Sequence, residues 1–177
     1  MRIIAGEFKR RNLYSVPGNT ARPTTDYTRE SLFNILDSCE GVSFLDLYAG
    51  SGAVGLEALS RGASRCVFVE FSIHSIRAIK KNIELLGCSD RSRISRRKVS
   101  AYLLKTEDIF DLIFMDPPYN KGLVKKTLLS LQESSVVADG TVIIVEHSVK
   151  EEIPLELQEK IIHNSSSKNS ELTLLKL

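Results

Sequence analysis

From residue 43 onward, short β-branched and apolar runs alternate with stretches in which apolar positions recur every three or four residues. Residues 44–48 read as a strand, 53–61 as a helix closed by Gly62, and the run CVFVE at 66–70 as a second strand. Ile73, Ile76, Ile79, Ile83 and Leu86 share one face, which predicts a helix over 72–86 with Gly87 at its C-cap and His74 off that face. A weak strand over 93–98, a short helix from Ser100, a strong strand over 111–115, a helix over 123–134 and a strand over 141–146 continue the pattern. Such alternation is the mark of βαβ units, so the fold class is α/β with a mostly parallel sheet. The last thirty residues break it. Residues 158–163 and 172–177 read as strands around the polar turn SSSKNS, an antiparallel hairpin that finishes the sheet.

Ahead of residue 43 the pattern differs. Residues 2–6 and 12–16 read as a small hairpin, followed by a Pro/Gly/Thr loop and a helix over 26–36. This gives an appendage over 1–40 on a core over 41–177, within one domain of 177 residues. The appendage is too short to hold a core of its own, so it is expected to pack on the α/β body and cover the carboxyl edge of the sheet.

With 42% apolar and 26% charged residues the chain has an ordinary globular composition, and no stretch approaches the roughly 20 apolar residues of a membrane span. The opening MRIIAGEFKRR lacks the apolar core of a signal peptide, which points to the cytosol. Cys39, Cys66 and Cys88 form no CxxC pair, so reduced buried thiols are expected, with neither a disulfide framework nor a metal.

The net charge of +2 conceals two basic blocks. Arg2, Lys9, Arg10, Arg11, Arg22 and Arg29 stand against only Glu7 and Asp26, and Arg91, Arg93, Arg96, Arg97 and Lys98 stand together without an acid. A polyanion such as RNA would suit them, although a charge run is also what a solvated face looks like.

The segment DLYAGSGAVG, Asp46 through Gly55, follows a strand and opens a helix. Ligands of open α/β sheets bind beyond the carboxyl ends of the strands, where a glycine loop lets backbone N–H groups approach an anion. Gly50, Gly52 and Gly55 fit G-x-G-x-x-G, a pattern that tight packing alone also produces, and no Lys-Ser/Thr follows to make a phosphate-cradling P-loop. Glu70 ends the next strand, where a carboxylate can accept from both hydroxyls of a ribose. Loop and glutamate together indicate a nucleoside cofactor, and leave nicotinamide dinucleotide and S-adenosylmethionine both open.

Asp116-Pro117-Pro118-Tyr119 decides between them. Two prolines take the chain rigidly out of the strand and leave their carbonyls as acceptors. The exocyclic amine of a base is a poor nucleophile because its lone pair is delocalised into the ring. Asp116 and the Pro117 carbonyl can hold both of its N–H bonds and turn the nitrogen toward a methyl donor, while Tyr119 stacks on the base.

DLYAGSG, Glu70 and DPPY resemble the motifs of class I S-adenosylmethionine-dependent methyltransferases that act on amino groups. More narrowly, RIIAGEFKRRNL, RPTTDYTRESLFNIL and DLYAGSGAVGLEALSRGA resemble the bacterial RsmD family, which methylates N2 of a guanine in 16S ribosomal RNA. The resemblance implies a Rossmann-like seven-stranded sheet with an antiparallel last hairpin, and the small ribosomal subunit as partner. It places Asp46, Tyr48, Ala49, Gly50 and Gly52 at the methionine end of the cofactor and Glu70 at its ribose. Asp116, Pro117, Pro118 and Tyr119 fall at the target base, and Arg10, Arg11, Arg22, Pro23 and Thr24 on the RNA side. Many relatives hold adenine with an Asp or Asn after the third strand. Here Lys98 cannot accept a hydrogen bond, which leaves Val99 or Ser100 for that task. A monomer is expected. Protein-glutamine methyltransferases usually carry Asn at the position of Asp116, and DNA-adenine enzymes usually add a target-recognition domain. The alternatives are a methyltransferase for another nucleic-acid amino group, a nicotinamide-dependent oxidoreductase and a nucleic-acid-binding module with a decayed site.

Overall fold

The computed structural model describes residues 1–16, 26–36 and 38–177. Seven strands, β1 (Ser43–Leu47), β2 (Arg65–Glu70), β3 (Ser92–Arg96), β4 (Leu112–Met115), β5 (Val142–Ser148), β6 (Ile161–Ser166) and β7 (Ser170–Lys176), form one sheet in the order β3-β2-β1-β4-β5-β7-β6. β1 to β5 run parallel, β7 runs antiparallel to β5, and β6 runs antiparallel to β7. No helix among the described residues is long and apolar enough to cross a membrane.

Side chains alternate across a strand, so each strand feeds two apolar layers. Phe44, Cys66, Phe68, Phe114 and Ile144 pack toward α2 (Ala53–Ser60), α3 (Ile73–Leu86) and α1 (Asp26–Ile35). Leu45, Val67, Ile113, Met115 and Val145 pack toward α4 (Val99–Leu103) and α5 (Leu123–Gln132). α3 begins at Ser72, whose hydroxyl accepts from the Ser75 N–H, and ends at Gly87, whose φ of 69° suits a residue without a Cβ.

The N-terminal segment forms the small hairpin its sequence predicts, with shorter arms: Ile3 N–H donates to the Arg11 carbonyl and Leu13 N–H to the Met1 carbonyl, each at 2.9 Å, around an antiparallel Arg2–Asn12 bridge. Residues 5–10 turn irregularly between the arms, and several N–H groups of this stretch donate to the body instead. Ile4 and Ala5 N–H donate to the carboxylate of fully buried Glu57 at 2.8 and 3.0 Å, and Phe8 N–H donates to Ser60 Oγ at 2.9 Å. A Cβ on Gly6 would lie 1.7 Å from the Ser60 carbonyl oxygen, so the close approach requires glycine. Asn82, also fully buried, accepts from Tyr14 N–H at 2.7 Å and donates to the carbonyls of Tyr14 and Ser51, each at 3.0 Å. Ile3, Phe8 and Leu13 are buried in the first apolar layer as a result.

Elsewhere the differences are at element ends. β3 stops at Arg96, because Lys98 is extended and caps α4. Residues 155–160 form a 3₁₀ turn that buries Leu157 after Pro154, so β6 starts at Ile161 instead of residue 158. β7 spans Ser170–Lys176 and β5 runs on to Ser148, which lengthens their pairing.

Candidate active site

The strand order reverses between β1 and β4, which opens a crevice at their carboxyl ends. On one side, the loop after β1 takes left-handed backbone at three alternate residues, Tyr48 (φ 61°), Gly50 (φ 55°) and Gly52 (φ 80°). For Tyr48 that conformation is costly. Its hydroxyl shares a 2.7 Å hydrogen bond with Thr127 of α5, and its partly buried ring packs against the second layer, which together hold the turn.

Asp46 lies under this loop, 1% exposed, and accepts from Gly55 N–H at 3.0 Å. A Cβ at Gly55 would come within 2.5 Å of Phe68 and 2.6 Å of Cys66, so helix α2 meets β2 at glycine distance. Burial raises the Asp46 carboxyl to about 7, with the Gly55 N–H opposing and the charge of Glu70 adding to the rise. Glu70 is more engaged than a ribose ligand needs to be. Its carboxylate accepts from Gly50 N–H at 2.9 Å, Phe71 N–H at 2.7 Å and Ser72 N–H at 2.8 Å. A carboxylate offers about four acceptor sites, so about one is left for a ribose hydroxyl where the sequence suggested two.

A cavity of about 270 Å³ opens beside the loop. Glu70 and Phe71, Val99 and Ser100, and Tyr48 with Lys126 of α5 are among its walls. Lys98 Nζ stands 5.8 Å from the centroid of the exposed Phe71 ring.

On the other side of the crevice, Met115 pairs with Leu47 and the chain then leaves the sheet as Asp116-Pro117-Pro118-Tyr119. Pro117 is buried, Asp116 is partly buried, and Pro118 and Tyr119 are exposed. The Tyr119 hydroxyl donates to Glu146 of β5 at 3.3 Å. Burial and then the charges of Glu146 and Asp116 push that phenol well above its usual range, so it stays protonated.

The family model described as Conserved hypothetical protein 95 matches residues 1–176. The Escherichia coli (strain K12) protein named Ribosomal RNA small subunit methyltransferase D is 34% identical over 155 residues, 87% of this chain and 78% of that protein. This chain belongs to the RsmD family. The Bacillus subtilis (strain 168) protein YlbH is 37% identical over 158 residues, 87% of this chain and 86% of its own. The solved Escherichia coli structure of yhhF superposes with a TM-score of 0.88 at 32% identity, over 99% of this chain and 97% of that one. The class I methyltransferase fold of the RsmD family, with S-adenosylmethionine as its cofactor, accounts for the glycine loop and the cavity at the head of the sheet.

Within this RsmD fold the residues read from the sequence divide into three groups. Asp46, Tyr48, Ala49, Gly50, Gly52, Glu70, Val99 and Ser100 gather at the loop and cavity, and Asp116 to Tyr119 face them across the crevice. Arg10 and Arg11 are exposed at the turn of the N-terminal segment, with Arg10 at φ 69°. Arg22, Pro23 and Thr24 lie outside the described residues.

The second basic block is smaller than it reads. Arg91 donates to Glu7 Oε2 at 2.7 Å and to the Leu59 carbonyl at 3.3 Å, and Arg93 pairs with Asp108. Both partners are distant in sequence, which the charge count could not register. Arg96, Arg97 and Lys98 remain exposed. Glu146 was missed altogether: at the end of an apolar strand it reads as a solvated terminus, yet it is 7% exposed.

Proposed function

We propose that this chain transfers the methyl group of S-adenosylmethionine to the exocyclic N2 amine of a guanine in 16S ribosomal RNA of the small ribosomal subunit. The observation that carries the reading is the placement of the acceptor-bearing turn 116–119 directly across the β1–β4 crevice from the glycine loop. The name and identity of the Escherichia coli relative support ribosomal RNA of the small subunit as the substrate class.

The residues present suit the cofactor. Asp46, whose buried carboxyl sits near 7, can meet the cationic methionine end through or beneath the loop, and Glu70 keeps about one acceptor for the ribose. The apolar walls around Val99 and Phe71 suit adenine, with Ser100 and the Val99 backbone as its polar neighbours. When bound, the cofactor supplies an electrophilic methyl group on a sulfonium.

The chain's own part is to orient the amine. Asp116 and the Pro117 carbonyl accept its two N–H bonds, so the nitrogen lone pair turns out of the ring plane toward the methyl carbon. Positive charge then builds on that nitrogen, and the Asp116 carboxylate stabilises it more in the transition state than in the bound substrate. The proton shed by the methylated amine leaves along the same hydrogen bond. Tyr119 stacks on the base, and Arg10, Arg11 and the segment of Arg22, Pro23 and Thr24 position the RNA by its phosphates. The enzyme acts as a monomer in the cytoplasm.

Small subunits from a strain lacking the gene, incubated with the purified protein and tritiated methyl donor, test the reading. Label confined to one guanine of 16S ribosomal RNA, released as N2-methylguanine, is the expected result. Label on adenine or cytosine, or on a protein, would overturn it.

A further inference from the structure

A carboxylate buried at the end of an apolar strand is expensive unless something at that place uses it. Glu146 is such a group. It follows Val145 within β5 as Asp116 follows Met115, the last residue of β4, and Val145 and Met115 are register partners, so the two carboxylates stand level toward the carboxyl side of the sheet. Its antiparallel neighbour on β7 is Leu172, and the residues before it on β5, Ile143, Ile144 and Val145, belong to the apolar layers.

Glu146 accepts a hydrogen bond from the hydroxyl of Tyr119 at 3.3 Å. The tip of the phenol is thus tied to β5 while its ring, 38% exposed, stands at the crevice. A tyrosine needed only as a flat surface has no use for such a tie. A tyrosine whose ring must already stand at a set angle when a base arrives does, since ordering it beforehand removes a cost from binding.

We propose that Glu146 is a positioning residue for the methylation reaction, fixing the Tyr119 ring through its hydroxyl so that it forms a preset wall for the target base. This rests on the assignment of residues 116–119 to the base, made above. Glu146 acts through Tyr119, and cofactor binding on the other side of the crevice is not its task.

The test uses the full chain as Glu146→Leu, Glu146→Gln, Tyr119→Phe and the double variant Glu146→Leu/Tyr119→Phe. With small subunits as substrate, Glu146→Leu is expected to raise KM and lower kcat, with kcat/KM down about tenfold or more, the usual worth of a hydrogen bond to a charged group. Affinity for the methyl donor, read by calorimetry, should stay within about twofold by the same reasoning. Glu146→Gln keeps an acceptor oxygen and should recover most of the loss. The double variant should be no worse than the poorer single one, because both remove the same tie. Unchanged kcat and KM in Glu146→Leu, or losses that multiply in the double variant, would overturn the proposal. If Glu146→Leu does not fold, Tyr119→Phe keeps the ring and removes only the tie, and wild-type kinetics in that variant would overturn it equally.

A wild-type protein inactive on subunits would count against the substrate, and the tie is then read without RNA. In protein with ring-labelled tyrosine, the Tyr119 ring signals of Glu146→Leu should shift and average through faster ring flipping than in wild type. Unchanged Tyr119 signals would overturn the tie itself.

Discussion

The two walls of the crevice are made of different materials. The wall on the β1–β2 side is backbone: left-handed residues 48, 50 and 52, the N–H groups of Gly50, Phe71 and Ser72 gathered on Glu70, and the N–H of Gly55 on Asp46. The wall on the β4–β5 side is side chains, Asp116, Tyr119 and Glu146, held by two prolines and a strand register. A backbone wall fits a ligand whose shape never changes, because peptide groups in a tight loop have few alternatives. Side-chain acceptors suit a reacting group whose charge changes during the step.

The comparison predicts a split in kinetics, and the largest effect belongs to the side-chain wall. Asp116→Ala should lose at least about 100-fold in turnover, because its hydrogen bond strengthens as charge builds on the amine, while methyl-donor affinity stays close to wild type. Single-turnover methylation together with calorimetry checks this. A variant that loses donor binding in proportion would merge the two walls into one.

Glu70→Ala should do the reverse, weakening methyl-donor binding by about 10- to 150-fold. Three backbone N–H groups lose their acceptor along with the ribose, so the loop should also show faster amide exchange at Gly50 and Ser72. Calorimetry against NADH belongs in the same experiment, and NADH binding tighter than the methyl donor would remove the assignment of this wall.

A third, smaller effect is a proton. With its folded value near 7, Asp46 keeps a proton that the unfolded chain gives up near pH 4. Between those values the native state binds more protons than the unfolded state. The contribution of this group to stability is therefore full below about pH 4 and falls away as pH rises to about 7. Asp46→Asn should flatten that part of the melting-temperature profile. A cationic methionine end favours the ionised carboxylate, so donor binding near pH 7 should release up to about half a proton, seen as a buffer-dependent heat in calorimetry.

The smallest effect lies outside both walls. Removing Arg10 and Arg11 should flatten the slope of log affinity for RNA against log salt by about one or two and leave donor binding untouched. Retention of small subunits at several salt concentrations gives the slope. No change would make these arginines solvated charges at the turn of the segment.

Hydrophobic period sufficed for the alternating body, since the strands of both layers are read off consecutive residues and the caps Ser72 and Gly87 are local. The glycine loop and the 116–119 turn were legible for the same reason: each is a contiguous string whose chemistry belongs to one stretch of chain. What stayed hidden depends on partners far apart. Glu57 sits among apolar helix residues, and nothing nearby says that its carboxylate serves the N–H groups of Ile4 and Ala5. Arg91 counts as one more charge in a basic run until Glu7 appears beside it. The predicted N-terminal hairpin is present but short, and the partners that hold its turn on α2 and α3 could not be read from its own alternation.

The docking of the first residues on Glu57, Ser60, Asn82 and Arg91 has a consequence for how the chain is made. Residues 1–14 have no complete seat until residue 91 has been added, several seconds after them at ordinary rates of about 5–20 residues per second. Over that interval Ile3, Phe8 and Leu13 are apolar groups without their layer. Residues 1–14 therefore settle only after β1, α2, β2 and α3 have been made.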